Sequence, residues 1–306
     1  MITVFLSLAA IALVGSMLRH ILPGVDIDGF RKNINRLVLF TILPALIFNV
    51  VYRAEIGKDF ILVPLSAATG ILSALALALA AFRFLPLQNR TKGALILGSA
   101  FSNVTYLGLP VLMGVFSAIP DKIAVVSVLY EVTTSPLLLS VGVFIAVWFG
   151  KKRSYGPFDY VKRICKLPPL WALGIVLAVK LLSVPVPAFL LQACKTLSAA
   201  AAGLMILSLG MALRFKRIEH LKPIAISVVL QLAFLPFVVF HTGRLVGLTG
   251  PFYEAAVIEA AMPTQLLTLV VADEFDLDTE ALAQTIFITT VLSLGTIPLV
   301  RHILFP

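Results

Sequence analysis

Two carboxylates, Glu131 and Glu259, sit deep inside apolar stretches of this 306-residue chain. An ionisable group at such depth costs at least a few kcal/mol in hydrocarbon and ordinarily marks an ion or proton path. Glu259 opens the stretch Glu259-Ala260-Ala261-Met262-Pro263-Thr264-Gln265, in which a proline stands among polar residues. A second stretch of this kind is Ser102-Asn103-Val104-Thr105-Tyr106-Leu107-Gly108-Leu109-Pro110. Proline removes a backbone donor and clashes with the preceding turn, and glycine costs about 1 kcal/mol in a helix interior. Each stretch therefore predicts a broken helix. The freed backbone groups cannot face lipid, so each break must line a cavity or another protein segment. Half-helix N-termini at such a break attract anions, and C-terminal carbonyls attract cations. Glu131, followed by Thr133, Thr134 and Pro136, is placed to reach the same cavity.

The remaining polar residues read differently. Asn49, Gln231 and Gln284 suit hydrogen bonds between helices. The four histidines lie near the ends of apolar runs. Asp273-Glu274-Phe275-Asp276-Leu277-Asp278 lacks the glycine of a calcium loop and reads as a solvated turn. The chain contains no phosphate-binding loop, zinc motif, nucleophile elbow or dinucleotide fingerprint, so an enzyme is not expected and no cofactor is implied, a sodium ion excepted. Cys165 and Cys194 cannot form a disulfide framework.

The elements that position these residues follow from composition. Hydrophobic residues make up 60% of the chain and charged ones 13%, with a mean hydropathy of +1.04. That is too apolar for a soluble domain, and the formal charge of +9 does not indicate nucleic acid in a chain with so little polar surface. Apolar runs of membrane-spanning length recur at about 2–19, 33–52, 60–82, 92–118, 122–149, 167–183, 195–213, 221–241, 252–273 and 279–304. They do not alternate as barrel strands do. The first has no basic residue ahead of it, unlike a secretory signal, and is kept as a helix. The expected fold is an all-α membrane protein of ten spans, with spans 4 and 9 broken.

Of the 24 Lys and Arg, 17 border the loops after spans 1, 3, 5 and 7. Those loops are expected in the cytoplasm and both termini outside. The basic loop 150–166 divides the chain into residues 1–149 and 167–306, five spans each. Moving the first half along by 162 residues lays Pro23 on Pro185, Pro136 on Pro298 and Ala100 on Met262. Five is odd, so the halves must have opposite orientation, a plan common among secondary transporters.

SNVTYLGLPVL in span 4 and AAMPTQLLTLVVADEF in span 9, with a basic loop between five-span halves, resemble the auxin efflux carrier family. That family includes plant PIN-type auxin exporters and bacterial permeases of malate and related organic acids. The resemblance covers nearly the whole chain. It implies the bile acid:sodium symporter fold, with a panel domain of spans 1, 2, 6 and 7 and a core of spans 3–5 and 8–10. Spans 4 and 9 would cross at their breaks. It further implies sodium ligands at Ser102, Asn103 and Glu259, with oxygens around Met262 and Thr264. The central loop of large plant members is reduced here to residues 150–166, and Asn103-Val104-Thr105 stands where plant exporters have Asn-Pro-Asn.

The expected function is secondary transport of a small organic anion, a carboxylate or dicarboxylate, by alternating access. Asn103, Thr105, Tyr106, Pro110, Pro263, Thr264 and Gln265 are the candidate substrate residues. Glu259, Glu131, Thr133 and Thr134 are the candidates for coupling to sodium or, alternatively, to protons. A channel is the next reading, because the same breaks could line a pore. An intramembrane enzyme lacks a nucleophile–base pair. The expected setting is the cytoplasmic membrane of a bacterium, with the organic anion and lipid bilayer as partners, no nucleic acid, and a homodimer as a candidate assembly.

Overall fold

The computed structural model describes residues 2–54, 56–150, 165, 168–212 and 221–305. The loop expected at 150–166 lies outside them apart from Gly150 and Cys165, as do Arg214, Lys216, Arg217 and His220. The described residues are helical, and their one strand-like pairing is an isolated antiparallel bridge between Ser102 and Thr264. In chain order the helices are α1 (Ile2–Ile21), α2 (Ile27–Arg53), α3 (Asp59–Arg83), α4 (Asn89–Gly98), α5 (Val104–Val115) and α6 (Pro120–Phe149). They continue with α7 (Pro168–Leu181), α8 (Ala188–Met211), α9 (Leu221–Leu245), α10 (Gly250–Ala260), α11 (Leu267–Glu274) and α12 (Thr279–Leu304).

Six of these, α2, α3, α6, α8, α9 and α12, are each long and apolar enough to cross a membrane unaided. The expected spans 4 and 9 are each divided in two, as α4 and α5 and as α10 and α11. Helix α2 starts six residues before the apolar run because the Asp26 side chain accepts from the Gly29 N–H and caps it. Helix α8 starts seven residues early, at Ala188, directly after Pro187, which cannot extend a helix backward.

Prolines also shape the helices they interrupt. Wide π turns at Val38–Ile42, Val104–Gly108 and Leu230–Phe234 each end two residues before a proline, at Pro44, Pro110 and Pro236. A proline leaves a carbonyl without its donor, and widening the preceding turn is one way to absorb the defect.

The residues fall into two compact units. The first contains 1–57, 105–128 and 165–214. In it, α1 and α8 pack with little space between their backbones. A Cβ on Gly210 would stand 2.1 Å from the Ala12 carbonyl oxygen, and one on Gly15 would stand 2.4 Å from that of Leu207. Without a hydrophobic drive between helices in lipid, such close approach is what holds them together. Lys180, on the last turn of α7, donates to the Val51 and Tyr52 carbonyls at 3.2 and 3.1 Å and so closes the C-terminal end of α2.

The second unit contains 58–104, 129–164 and 215–306. Three of its polar contacts join loops that a ten-span alternation places on one side. Arg90 pairs with Asp276 between the segments after spans 3 and 9. Lys58 donates to Gly247 between those after spans 2 and 8, and Arg301 pairs with Glu254 at the far ends of α12 and α10. The acidic stretch 273–278 is thus more than a solvated turn. Asp276 holds Arg90, and Asp278 accepts from Thr91 while capping α12 at the Ala281 N–H.

Candidate functional site

Helix α4 ends at Gly98, and the chain runs through Ser99 to Asn103 before α5 resumes at Val104. Helix α10 ends at Ala260, and the chain runs through Ala261 to Leu266 before α11 begins. The first break thus falls at the N-terminal edge of the polar stretch. Pro110 does not make it; it lies within α5 just behind the wide turn, which absorbs its missing N–H.

The two breaks meet. Asn103 N–H donates to the Pro263 carbonyl at 2.7 Å, and Gln265 N–H donates to the Phe101 carbonyl at 2.8 Å. The Ser102 hydroxyl donates to the Ala260 carbonyl at 3.2 Å, and the Thr264 hydroxyl donates to the Gly98 carbonyl at 2.6 Å. Adding 162 to each residue of the first half turns one bond of each pair into the other. Residues 98, 101, 102 and 103 correspond to 260, 263, 264 and 265. The four bonds therefore have a local two-fold arrangement about the Ser102–Thr264 bridge. They also take up backbone groups that lipid could not satisfy.

Extended residues alternate between faces, so this small bridge has two sides. Ser102 and Thr264 share one side and spend their hydroxyls on the crossing itself. Gln231, from α9, adds its Nε2 there, donating to the Ser102 hydroxyl at 3.0 Å and to the Met262 carbonyl at 2.8 Å. The Thr289 hydroxyl of α12 accepts from the Thr264 N–H at 3.2 Å. Asn103 and Gln265 fall on the other side, at diagonal positions about 7–8 Å apart. Both are buried, and among the described residues Asn103 Oδ1 and Nδ2 and Gln265 Oε1 have no hydrogen-bond partner. Buried polar atoms are rarely left so in a folded protein.

Glu259 is completely buried on the last turn of α10, and the equally buried Tyr130 of α6 is near enough for a charge on Glu259 to reach it. Tyr130 Oη has no hydrogen-bond partner among the described residues, and neither does Thr134 Oγ1 one turn further along. Glu131, also buried, accepts from Ser135, whereas half-buried Thr133 spends its hydroxyl on the Leu129 carbonyl at 2.8 Å. The structure thus gathers Ser102, Asn103, Met262, Pro263, Thr264 and Gln265 at one crossing, with Glu259 a turn before it. Thr105, Tyr106 and Pro110 lie further along α5, in the first unit.

Tyr130 and Thr289 are additional to the residues singled out from the sequence. Thr285, Thr289 and Ser293, four apart within an apolar run, mark one polar helix face and were the available signal for Thr289. A tyrosine in an apolar run gives no such signal.

The sequence profile of the membrane transport protein family matches residues 3–155 and again 153–301. The chain belongs to this family. An uncharacterized transporter of Methanothermobacter thermautotrophicus is 31% identical over 300 residues, which are 96% of this chain and 95% of that one. Another, of Methanocaldococcus jannaschii, is 28% identical over 285 residues, 90% of each chain. The family agrees with the auxin efflux carrier resemblance drawn from the two polar stretches. This member is an integral membrane transport protein and not an enzyme.

Proposed function

We propose that this transporter is a secondary carrier of a small organic anion, a carboxylate or dicarboxylate, held where the two broken helices cross. The observation that supports this most is Asn103. Its carboxamide is fully buried at the break and offers one donor group and one acceptor to whatever enters. In this reading the chain has ten spans in two inverted repeats, 1–149 and 167–306, joined by a cytoplasmic loop at 150–166. A panel of spans 1, 2, 6 and 7 moves against a core of spans 3–5 and 8–10, exposing the site to each side in turn. The reciprocal bonds 162 residues apart support the repeat. The setting is the cytoplasmic membrane of a bacterium with both termini outside, and a homodimer is compatible with it.

Two carboxylates near the site and no buried Lys or Arg among the described residues of the second unit make an anion costly to hold alone. A co-transported cation offsets that charge. Sodium on oxygens of Ser102, Asn103, Glu259, Met262 and Thr264 is the first reading. Protons carried by Glu259 form the second, and one observation favours it. The Ser102 hydroxyl and Met262 carbonyl already accept from Gln231, and the Thr264 hydroxyl already donates to Gly98.

Counterflow of labelled dicarboxylates in proteoliposomes tests the carrier. Uptake should saturate, and Asn103→Ala should weaken apparent affinity about tenfold, the equivalent of one lost hydrogen bond to a charged group. Unsaturable flux would indicate a channel. Glu259→Gln should abolish stabilisation by sodium in the first reading and flatten the pH dependence of transport in the second.

A further inference from the structure

Helices α6 and α12 repeat one another at polar positions. Glu131 and Thr134 of α6 stand 162 residues before Ser293 and Thr296 of α12, and Pro136 stands 162 before Pro298. The two threonines share an unusual condition. The hydroxyl oxygen of each is buried, and neither has a hydrogen-bond partner among the described residues. Thr134 has no exposed surface at all. Each lies two residues before its proline, which removes the helical donor for the carbonyl four residues back, that of Val132 or Leu294.

Each row also begins at the crossing. On α12, Thr289 accepts from the Thr264 N–H at the bridge itself, and Ser293 and Thr296 follow on the same face at helical spacing. On α6, Tyr130 is near enough for a charge on Glu259 to reach it, and Glu131 and Thr134 follow. From the crossing the two rows run with their chains, α6 toward Gly150 and α12 toward Phe305. In the inverted-repeat reading, on which this inference rests for its geometry, those ends lie at opposite membrane faces.

We propose that the rows are two half-paths that bring water and a small monovalent cation from opposite faces to the crossing. Buried hydroxyls without protein partners are the usual seats of internal water. The residues named in the two rows offer hydroxyl, carboxylate and carbonyl oxygen, which suits a hard cation and disfavours the anionic cargo. The cargo and its counter-ion therefore reach one site by different routes. The halves are unequal, because Glu131 stands where the other row has Ser293. The cation is held more strongly in the α6 half.

The test uses silver ion, a thiol-reactive cation of sodium-like size, on Thr134→Cys and Thr296→Cys. Both are made in a chain with Cys165 and Cys194 replaced by serine and reconstituted in one orientation. Silver added at one face should consume the Thr134→Cys thiol, and silver added at the other the Thr296→Cys thiol. Thr134→Cys, beside Glu131, should react at least about tenfold faster than Ile123→Cys, a buried position near the start of α6, as a negative lining concentrates cations, and Thr296→Cys should also react faster than it. Consumption of both from one face, or of neither faster than Ile123→Cys, overturns the proposal. Radiolytic hydroxyl-radical footprinting of the unmutated protein asks the same question without a substitution. Tyr130, though fully buried, should be modified by radicals born from neighbouring water, and protection equal to that of Phe101 counts against the path. Neither readout needs substrate. A protein that fails counterflow but shows opposite-sided consumption has the paths without the carrier function, and the converse result removes the paths alone.

Discussion

Gln231 has the most demanding position at the residue scale. One amide nitrogen serves a hydroxyl from the first half of the chain and a carbonyl from the second, at 3.0 and 2.8 Å. Removing it leaves two acceptors in a dry environment, each costing on the order of 1–3 kcal/mol. Gln231→Leu should therefore lower the midpoint of thermal unfolding in detergent by several degrees, while Gln192→Leu on α8 should leave it unchanged. The sequence marks Gln231 as a hydrogen-bonding residue between helices, and the structure agrees. It could not disclose the partners, which lie 129 and 31 residues away. Ser102, Asn103, Thr264 and Glu259 were legible because a polar group in an apolar run costs too much to be idle. Tyr130 was not, because its ring satisfies the hydrophobic pattern and only its hydroxyl departs from it.

Among the elements, span positions were readable to within a few residues where the apolar run itself sets the limits. Helix α12 spans Thr279–Leu304, the same residues as its apolar run, and α3 differs from its run by one residue at each end. Boundaries set by single side chains escaped, as at Asp26 before α2 and Pro187 before α8. The site of the first break was legible from the shift that lays Ala100 on Met262, whereas Pro110, which also looks decisive in sequence, is absorbed by a wide turn. Backbone proximity also leaves little trace in a run of small residues. Helices α1 and α8 approach so closely that a side chain at Gly210 has no space, whereas a Cβ at Gly174 on α7 would meet nothing within 4 Å. Gly210→Leu should cost at least about 1–3 kcal/mol by overpacking and shift the thermal midpoint down. Gly174→Ala should be neutral or slightly stabilising. Equal midpoints for the two variants would mean that α1 and α8 separate freely.

For the whole molecule, alternation of spans in the ten-span reading fixes which ends can meet, and the Arg90–Asp276, Lys58–Gly247 and Arg301–Glu254 contacts each join ends of one side in that reading. Which side is cytoplasmic is a separate question, and the bias of 17 of 24 basic residues toward the loops after odd spans sets the expectation that is tested. A cysteine at Ser154, in the loop outside the described residues, should not react with an impermeant maleimide added to intact cells. It should react after permeabilisation. Ready labelling in intact cells would invert the orientation while leaving the internal pairing untouched.

The bridge between Ser102 and Thr264 also sets a timetable for synthesis. The Gly98 and Phe101 carbonyls and the Asn103 N–H of the first break are answered by Thr264, Gln265 and Pro263, which leave the ribosome some 160 residues later. Until then the nascent first half carries an open break that lipid cannot satisfy, so it must wait beside the insertion machinery or be shielded there. A chain stopped after Gly250 should be inserted yet short-lived, and supplying residues 251–306 as a separate polypeptide should restore its lifetime in pulse-chase. Quality control of this protein would then read the arrival of one short segment near the end of the chain as the signal that assembly is complete.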